Sequence, residues 1–307
     1  MDIFSLVLTV IGLSIFETVS SLDNAVINAE VLSTMSLKAR RWFLTYGLLI
    51  AVFLIRGVLP FIIIWISNPS LGPLTALHSL FTSDPRVKES IEASAPILLI
   101  GGGTFLLFLF FHWLFLEPKE FGLVGEKFIH SQSTWFYAIV SILLCGIIWF
   151  ALKINPLLAF SAVVGAAAFF ITNGFKEHAE KIEKGLLKSK MQSDVSKLLY
   201  LELIDATFSI DGVLGAFAFT LSVLLILIGN GIGAYIVREI TLRNIESIKN
   251  FKYLKNGAMY SIFALSCVML LDSFGHHLPS WLTPIMTIAI VSYFFFKSKA
   301  LQKTNFS

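Results

Sequence analysis

An all-α polytopic membrane protein is the fold class this sequence predicts, and three observations predict it. Hydrophobic residues make up 56% of the 307 positions and charged residues only 14%. The mean hydropathy is +0.81. The apolar residues fall in long blocks rather than alternating, and blocks of about 20 fit spanning helices, not the ten-residue dyads of a barrel. A bilayer offers no water to the backbone, so each span must close its own hydrogen bonds as a helix.

Nine spans follow in order: Ile3–Val31, Trp42–Ile66, Ala95–Phe115, Trp135–Ala151, Pro156–Thr172, Leu198–Phe219, Leu221–Glu239, Gly257–Leu271 and Trp281–Phe296. The first is too long for one plain crossing, and Ser20–Asn24 interrupts it, so a tilt or two half-helices is expected there. Gly101–Gly103 and Gly165–Ala168 need only a packing role, because small residues let helices approach closely. Cys145 and Cys267 sit far apart in apolar blocks and read as small hydrophobes. His112 reads as a packed histidine on an apolar face. His276 and His277, beside Asp272, suit a solvated loop or metal capture. Met1–Phe16 lacks the basic start and the small-residue cleavage site of a signal peptide, so no cleaved leader is expected.

Loop charge sets the orientation. Of the 23 Lys and Arg, 18 fall on one side of these spans and 3 (Arg86, Lys88 and Lys153) on the other. Arg56 and Arg238 lie within spans. The positive-inside rule then gives the N-terminus out and the C-terminus in the cytoplasm, in a plasma or inner membrane. Lys176–Lys190 is the largest cytoplasmic charge run, either a surface helix or a solvated connection.

The polar residues repeat. Glu17-x3-Ser21-Leu22-Asp23-Asn24 overlays Asp205-x3-Ser209-Ile210-Asp211-Gly212. Gly47 precedes Arg56 by the same nine positions that separate Gly229 from Arg238. Five spans precede the second copy, and an odd number reverses its direction, so the copies are expected as an inverted repeat. The organisation is then 1–118 as a first repeat, 119–197 as connecting spans with the basic loop, and 198–307 as a second repeat.

An Asp or Glu at the centre of a span costs about 2.5–3.5 kcal/mol on insertion scales. Two spans here hold Glu17, Asp23, Glu202, Asp205 and Asp211. Pairing with Arg56 and Arg238 is one reading of them. Two arginines cannot neutralise five acids, so a cation or proton site at the midplane is the other. The nearby donors are oxygens (carboxylates, the Asn24 amide, the Ser21 and Ser209 hydroxyls), a set that suits Mg²⁺, Ca²⁺ or Mn²⁺. A break at Ser20–Leu22, capped by serine or aspartate, would turn Asp23 towards Glu17, and two broken helices would bring the acids together.

The run Ser21-Leu22-Asp23-Asn24-Ala25-Val26 after Glu17, with Asp205-x3-Ser209-Ile210-Asp211 later, resembles the TerC family of integral membrane proteins, grouped with the LysE-like transporters. The likeness extends over essentially the whole chain. The second motif departs from the usual Asp-Ser-x-Asp-Ser form, with Ala206 and Gly212 at the serine places, as in a less characterised branch. The resemblance implies manganese export or tellurium resistance, and carries Glu17, Asp23, Asp205 and Asp211 over as metal ligands, with Asn24 a fifth oxygen donor. Ser21, Ser209, Glu202, Arg56 and Arg238 then flank the path.

The expected function is therefore export of a divalent cation, Mn²⁺ favoured, by a secondary transporter coupled to H⁺ or Na⁺. The other readings are a stress-response membrane scaffold without transport, or an intramembrane aspartyl enzyme using Asp23 and Asp211. No enzyme activity, bound cofactor or nucleic-acid partner is expected. No G-x-x-x-x-G-K-[ST] loop is present to power an ATP-driven pump. The topology is checked by thiol labelling: single cysteines placed in Lys176–Lys190 stay unlabelled by an impermeant reagent added to intact cells, and outside labelling of them refutes the orientation.

Overall fold

The computed structural model describes residues 3–47, 49–50, 57–58, 62, 65, 72, 85–119, 122–123, 125–188, 193–243 and 251–304. These residues form eleven α-helices, a short π-helical turn and no strand. The helices are α1 (Ile3–Ser20), α2 (Leu22–Ser33), α3 (Leu37–Trp42), α4 (Pro85–Leu116), α5 (Glu126–Ser131), α6 (Trp135–Leu152), α7 (Pro156–Lys188), α8 (Asp194–Ala216), α9 (Val223–Arg243), α10 (Leu254–Ser273) and α11 (Leu282–Thr304). The π-turn, Phe43–Gly47, continues from α3.

Among the described residues seven helices are long and apolar enough to cross a membrane: α1, α6, α10, and parts of α4, α7, α9 and α11. The chain is thus an integral membrane protein of helical type. Helix α8 is as long as these but is outside that group, because Glu202, Asp205 and Asp211 lower its hydropathy. Most of the expected Trp42–Ile66 span lies outside the described residues.

Helix α4 is the strut of the bundle, packed between α10 and α7. Of its spanning window 78% is buried, against 22% for α6, whose Trp135, Ile142 and Trp149 point outward as lipid-facing side chains. Glycine makes the α4 contacts possible. A Cβ at Gly165 would lie 2.1 Å from the Gly101 carbonyl oxygen, so α7 and α4 touch backbone to backbone. Ser161 Oγ seals that crossing by donating to the Ile97 carbonyl at 2.6 Å. On the opposite face a Cβ at Gly102 would meet Met269 at 2.6 Å. Phe105 and Phe108 set their rings edge-on to Phe169 below the crossing. His112 packs edge-on against Phe136 and Phe169, with Nε2 3.2 Å from Asn173 Nδ2.

The interruption expected near Ser20–Asn24 falls at one residue, Ser21, between α1 and α2, while its expected cap and the separate basic connection are corrected. Ser21 N still donates to Glu17 O and Ala25 N to Ser21 O, so the helical ladder is nearly continuous. Ser21 makes no side-chain cap. The basic segment is also not a separate connection up to Lys188: α7 runs straight into it. Ala, Glu, Lys and Ile are adequate helix formers, so the helix outlasts the apolar block. Lys176 therefore lies inside a helix and is buried.

The segment after α4 is latched to α10. Glu126, 2% exposed, accepts from Asn256 Nδ2 and Tyr260 Oη, both at 2.9 Å. Lys119 covers the Trp113 ring at 3.4 Å and donates to the Trp113 carbonyl. Burial pushes Lys119 down to about 8, while Glu117 and Glu126 pull it back up. Burial acts to raise the Glu117 carboxyl, but Lys255 at 2.6 Å overrides it and holds it below the usual range.

The α4–α7 crossing has a direct check. Gly165→Ala forces a methyl onto a carbonyl that cannot move aside, and overpacking of this kind costs about 1–3 kcal/mol. Its thermal midpoint in detergent falls below that of the parent. Gly146→Ala on α6, where a Cβ meets nothing within 4 Å, leaves it unchanged or raised.

Candidate cation site

Helix α1 lies antiparallel to α8. Gly12 sits against Phe219, Phe16 against Gly215 and Glu17 against Gly212, so the numbering rises on one helix as it falls on the other. Helix α9 runs alongside α1 in the same direction, with Leu13 against Gly229 and Glu17 against Gly233. Glu17 thus stands between two glycines and is fully buried. A Cβ at Gly212 would lie 2.8 Å from Glu17 Oε2, and one at Gly233 would lie 2.6 Å from Glu17 Cβ. Ser21, one turn on, donates to Glu17 Oε1 at 2.7 Å.

Below Glu17 opens a cavity of about 20 Å³. Ser21 lines it from the junction of α1 and α2, Ala25 and Asn28 from α2, Asp205 from α8, and Ala234, Val237, Arg238 and Thr241 from α9; Phe43 closes it. Each helix contributes residues at helical spacing, one stripe facing inward. The volume suits one or two water-sized guests, not an organic solute.

Arg238 organises the wall. Its Nη2 lies 3.7 Å from Asp205 Oδ2 and 3.9 Å from Glu202 Oε1. Its Nη1 donates to the Phe43 carbonyl, and the guanidinium covers the Phe43 ring at 4.2 Å. This cluster exists because Gly47 has no side chain: a Cβ there would fall 2.1 Å from Glu202 Oε1 and 3.0 Å from Arg238 Nη1.

The expected site residues therefore divide. Glu17, Ser21, Asp205 and Arg238 share the cavity, and Glu202 stands behind Arg238. Ser209 turns its hydroxyl back to the Asp205 carbonyl at 2.5 Å. Asp211 does not line the cavity; its Oδ2 pairs with Lys176 Nζ from α7. The side chains of Asp23 and Asn24, and all of Arg56, lie outside the described residues. The expectation of two broken helices is corrected: α8 passes unbroken from Asp194 to Ala216, because nothing in Asp205–Asp211 departs from helical residue types. Among the described residues no three His, Cys, Asp or Glu side chains form a metal-holding group. The cavity offers two carboxylates.

Sequence reasoning missed Asn28, Phe43, Thr241 and Lys176. Asn28 had a signal, since it follows Ser21 by seven positions and shares its helix face. Lys176 was hidden by its place at the end of an apolar block.

Two glycines make contacts between the segments of the expected repeat. Overlaying Glu17 on Asp205 pairs Ser14 with Glu202. Gly47 lies against Glu202, and Gly229 accepts from Ser14 Oγ at 3.1 Å through its carbonyl.

On the far side of Glu17 is a second, wider cavity of about 480 Å³, bounded by Phe217–Leu221, Ala95–Pro96 and the Asp272–Thr283 region. His277 Nδ1 lies 3.2 Å from Asp272 Oδ1 at its edge. Phe16, adjacent to Glu17 in the chain, packs on Phe219 with ring centroids 5.9 Å apart, so an aromatic pair separates this cavity from the buried acid.

The Gly47 contact is tested by Gly47→Ala. The added methyl drives the Glu202 carboxylate off Arg238, and the thermal midpoint drops by the equivalent of about 1–3 kcal/mol. Gly174→Ala, facing open space, serves as control. An unchanged midpoint in Gly47→Ala disproves the contact.

No curated protein and no solved structure matches this chain. A family model does match, over residues 22–305, and its description is Protein of unknown function (DUF475). That stretch takes in α2, α8 and α9, hence most of the cavity wall, and on its extent the chain belongs to the DUF475 family.

Proposed function

We propose that this protein is a secondary transporter that exports a divalent metal cation, Mn²⁺ foremost, in exchange for H⁺ or Na⁺. The observation that carries the reading is the pair Glu17 and Asp205. They come from antiparallel helices, are buried, and face one cavity large enough for an ion and little else. Buried carboxylates in a membrane protein are costly and mark ion paths. In ionised form Glu17, Glu202, Asp205 and Arg238 carry a net charge of −2, which a divalent cation cancels. The donors are oxygens, as a hard cation prefers.

The reading retains the likeness to TerC and LysE-like transporters, the nine spans and the inverted repeat. The antiparallel course of α1 and α8 and the exchanged Gly47 and Gly229 contacts support the repeat. In this scheme Arg238 is a tethered cation that competes with the cargo for Asp205. The cavity on one side of Glu17 and the wider one beyond the Phe16–Phe219 pair supply the two approaches that alternating access needs. A scaffold has no use for a buried carboxylate cradled by glycines. A peptide-cleaving enzyme needs more room than this cavity has.

The experiment is Mn²⁺ flux in proteoliposomes, with and without a pH or Na⁺ gradient, compared with Mg²⁺, Ca²⁺ and Zn²⁺. Glu17→Gln and Asp205→Asn each keep the shape and remove one charge. Losing a group that supports a bound metal costs about 10–100-fold in affinity or activity, so Mn²⁺ flux is expected to fall by at least that factor while the protein stays monodisperse. Either variant moving Mn²⁺ at the parental rate sinks the proposal.

A further inference from the structure

We infer that Asn28 is a cargo ligand, the neutral oxygen donor that completes the cavity and sets its preference for hard cations; this rests on the transport reading above. Asn28 is 7% exposed and lines the cavity shared by Glu17 and Asp205. Its Oδ1 is buried and finds no hydrogen-bond donor among the described residues. A buried amide oxygen without a donor is destabilising. Such an atom persists where another positive partner is meant to meet it, and the carbonyl end of an amide dipole attracts a cation.

Helical geometry selects Asn28 over Asn24 for this role. At 100° per residue, Asn28 lies about 20° from Ser21 around the axis, while Asn24 lies about 60° away. Ser21 at the start of α2 and Ala25 and Asn28 within it lie on the cavity, about one every turn. Ala25 keeps the middle of that stripe short, so the space between the Ser21 hydroxyl and the Asn28 amide stays open towards Asp205. The oxygen-bearing side chains on the cavity wall are then two carboxylates, the Ser21 and Thr241 hydroxyls and one amide.

The amide also fits the charge. The acids and Arg238 already reach net −2 when ionised. A further carboxylate at position 28 would make −3 and hold a divalent ion too firmly to release it. An amide adds an oxygen without adding charge, which favours binding strong enough to select and weak enough to let go. Oxygen at this place also disfavours soft metals, which prefer sulfur.

The test uses the purified full-length chain in detergent and the paramagnetic signal of free Mn²⁺ to count bound ion. The parent binds Mn²⁺, and Glu17→Gln does not. Asn28→Ala is expected to weaken Mn²⁺ binding about tenfold or more, at the lower end of the effect of removing a metal-supporting group. Asn28→Cys, close to asparagine in bulk, is expected to reverse the preference, so that Cd²⁺ displaces Mn²⁺ at about tenfold lower concentration than in the parent. A structural asparagine would not change metal preference, so the cysteine variant separates the roles even if the alanine variant folds poorly. Parental Mn²⁺ affinity and parental Cd²⁺ competition in Asn28→Cys, with Glu17→Gln inactive, overturn the role of Asn28 and leave the transport reading standing. Absence of Mn²⁺ binding by the parent overturns both.

Discussion

Carboxylates held away from water must be met by the protein itself, and this bundle is arranged around that requirement. Glu17 is the extreme case, with no exposed surface at all. Gly212 and Gly233 give it space on two sides, and Ser21 gives it a hydroxyl. Those glycines bring α8 and α9 against α1, and the same approach places Asp205 and Arg238 around the cavity below. Arg238 in turn needs Phe43 and Gly47, so the π-turn after α3 is drawn into the same cluster. Helix packing elsewhere follows ordinary rules of small residues and aromatic contacts. Here the packing follows the charge.

The membrane class was legible because apolar blocks and missing charge leave few alternatives. The pairing of Glu17 with the region of Asp205 and Arg238 was legible for a different reason: acids and arginines are too costly in spans to be scattered. The rest was obscured by particular limits. Periodicity does not tell where a helix ends once good helix formers follow it, so Lys176 looked like loop when it belongs to α7. Serine and aspartate near a hinge suggest a capped break, yet Ser21 uses its hydroxyl on Glu17 and leaves the backbone ladder running. Asp205 and Asp211 sit six positions apart on an unbroken helix, which separates them around the axis. Only one can face the cavity, and Lys176 takes the other.

The glycines show how substitution patterns mislead when read as composition. Gly212 stands where a serine is usual in the resembling motif, which looks like a lost ligand. In space it is the position against which Glu17 Oε2 rests, and a hydroxymethyl group there would compete with the carboxylate for room. A missing donor and a gained neighbour are the same event seen from two helices.

Helix α8 has a consequence for how the chain is made. It is too polar to leave the translocation machinery for lipid by itself, since each of its central acids opposes partitioning. Its counter-charges flank it in the order of synthesis: Lys176 emerges before it on α7, and Arg238 after it on α9. Helix α8 therefore follows one of its charged partners in the chain and waits for the other until α9 is made. Glu17 waits longest. The glycines that enclose it, Gly212 and Gly233, follow it only some two hundred positions later. Helix α1 thus precedes the neighbours that enclose it by most of the bundle.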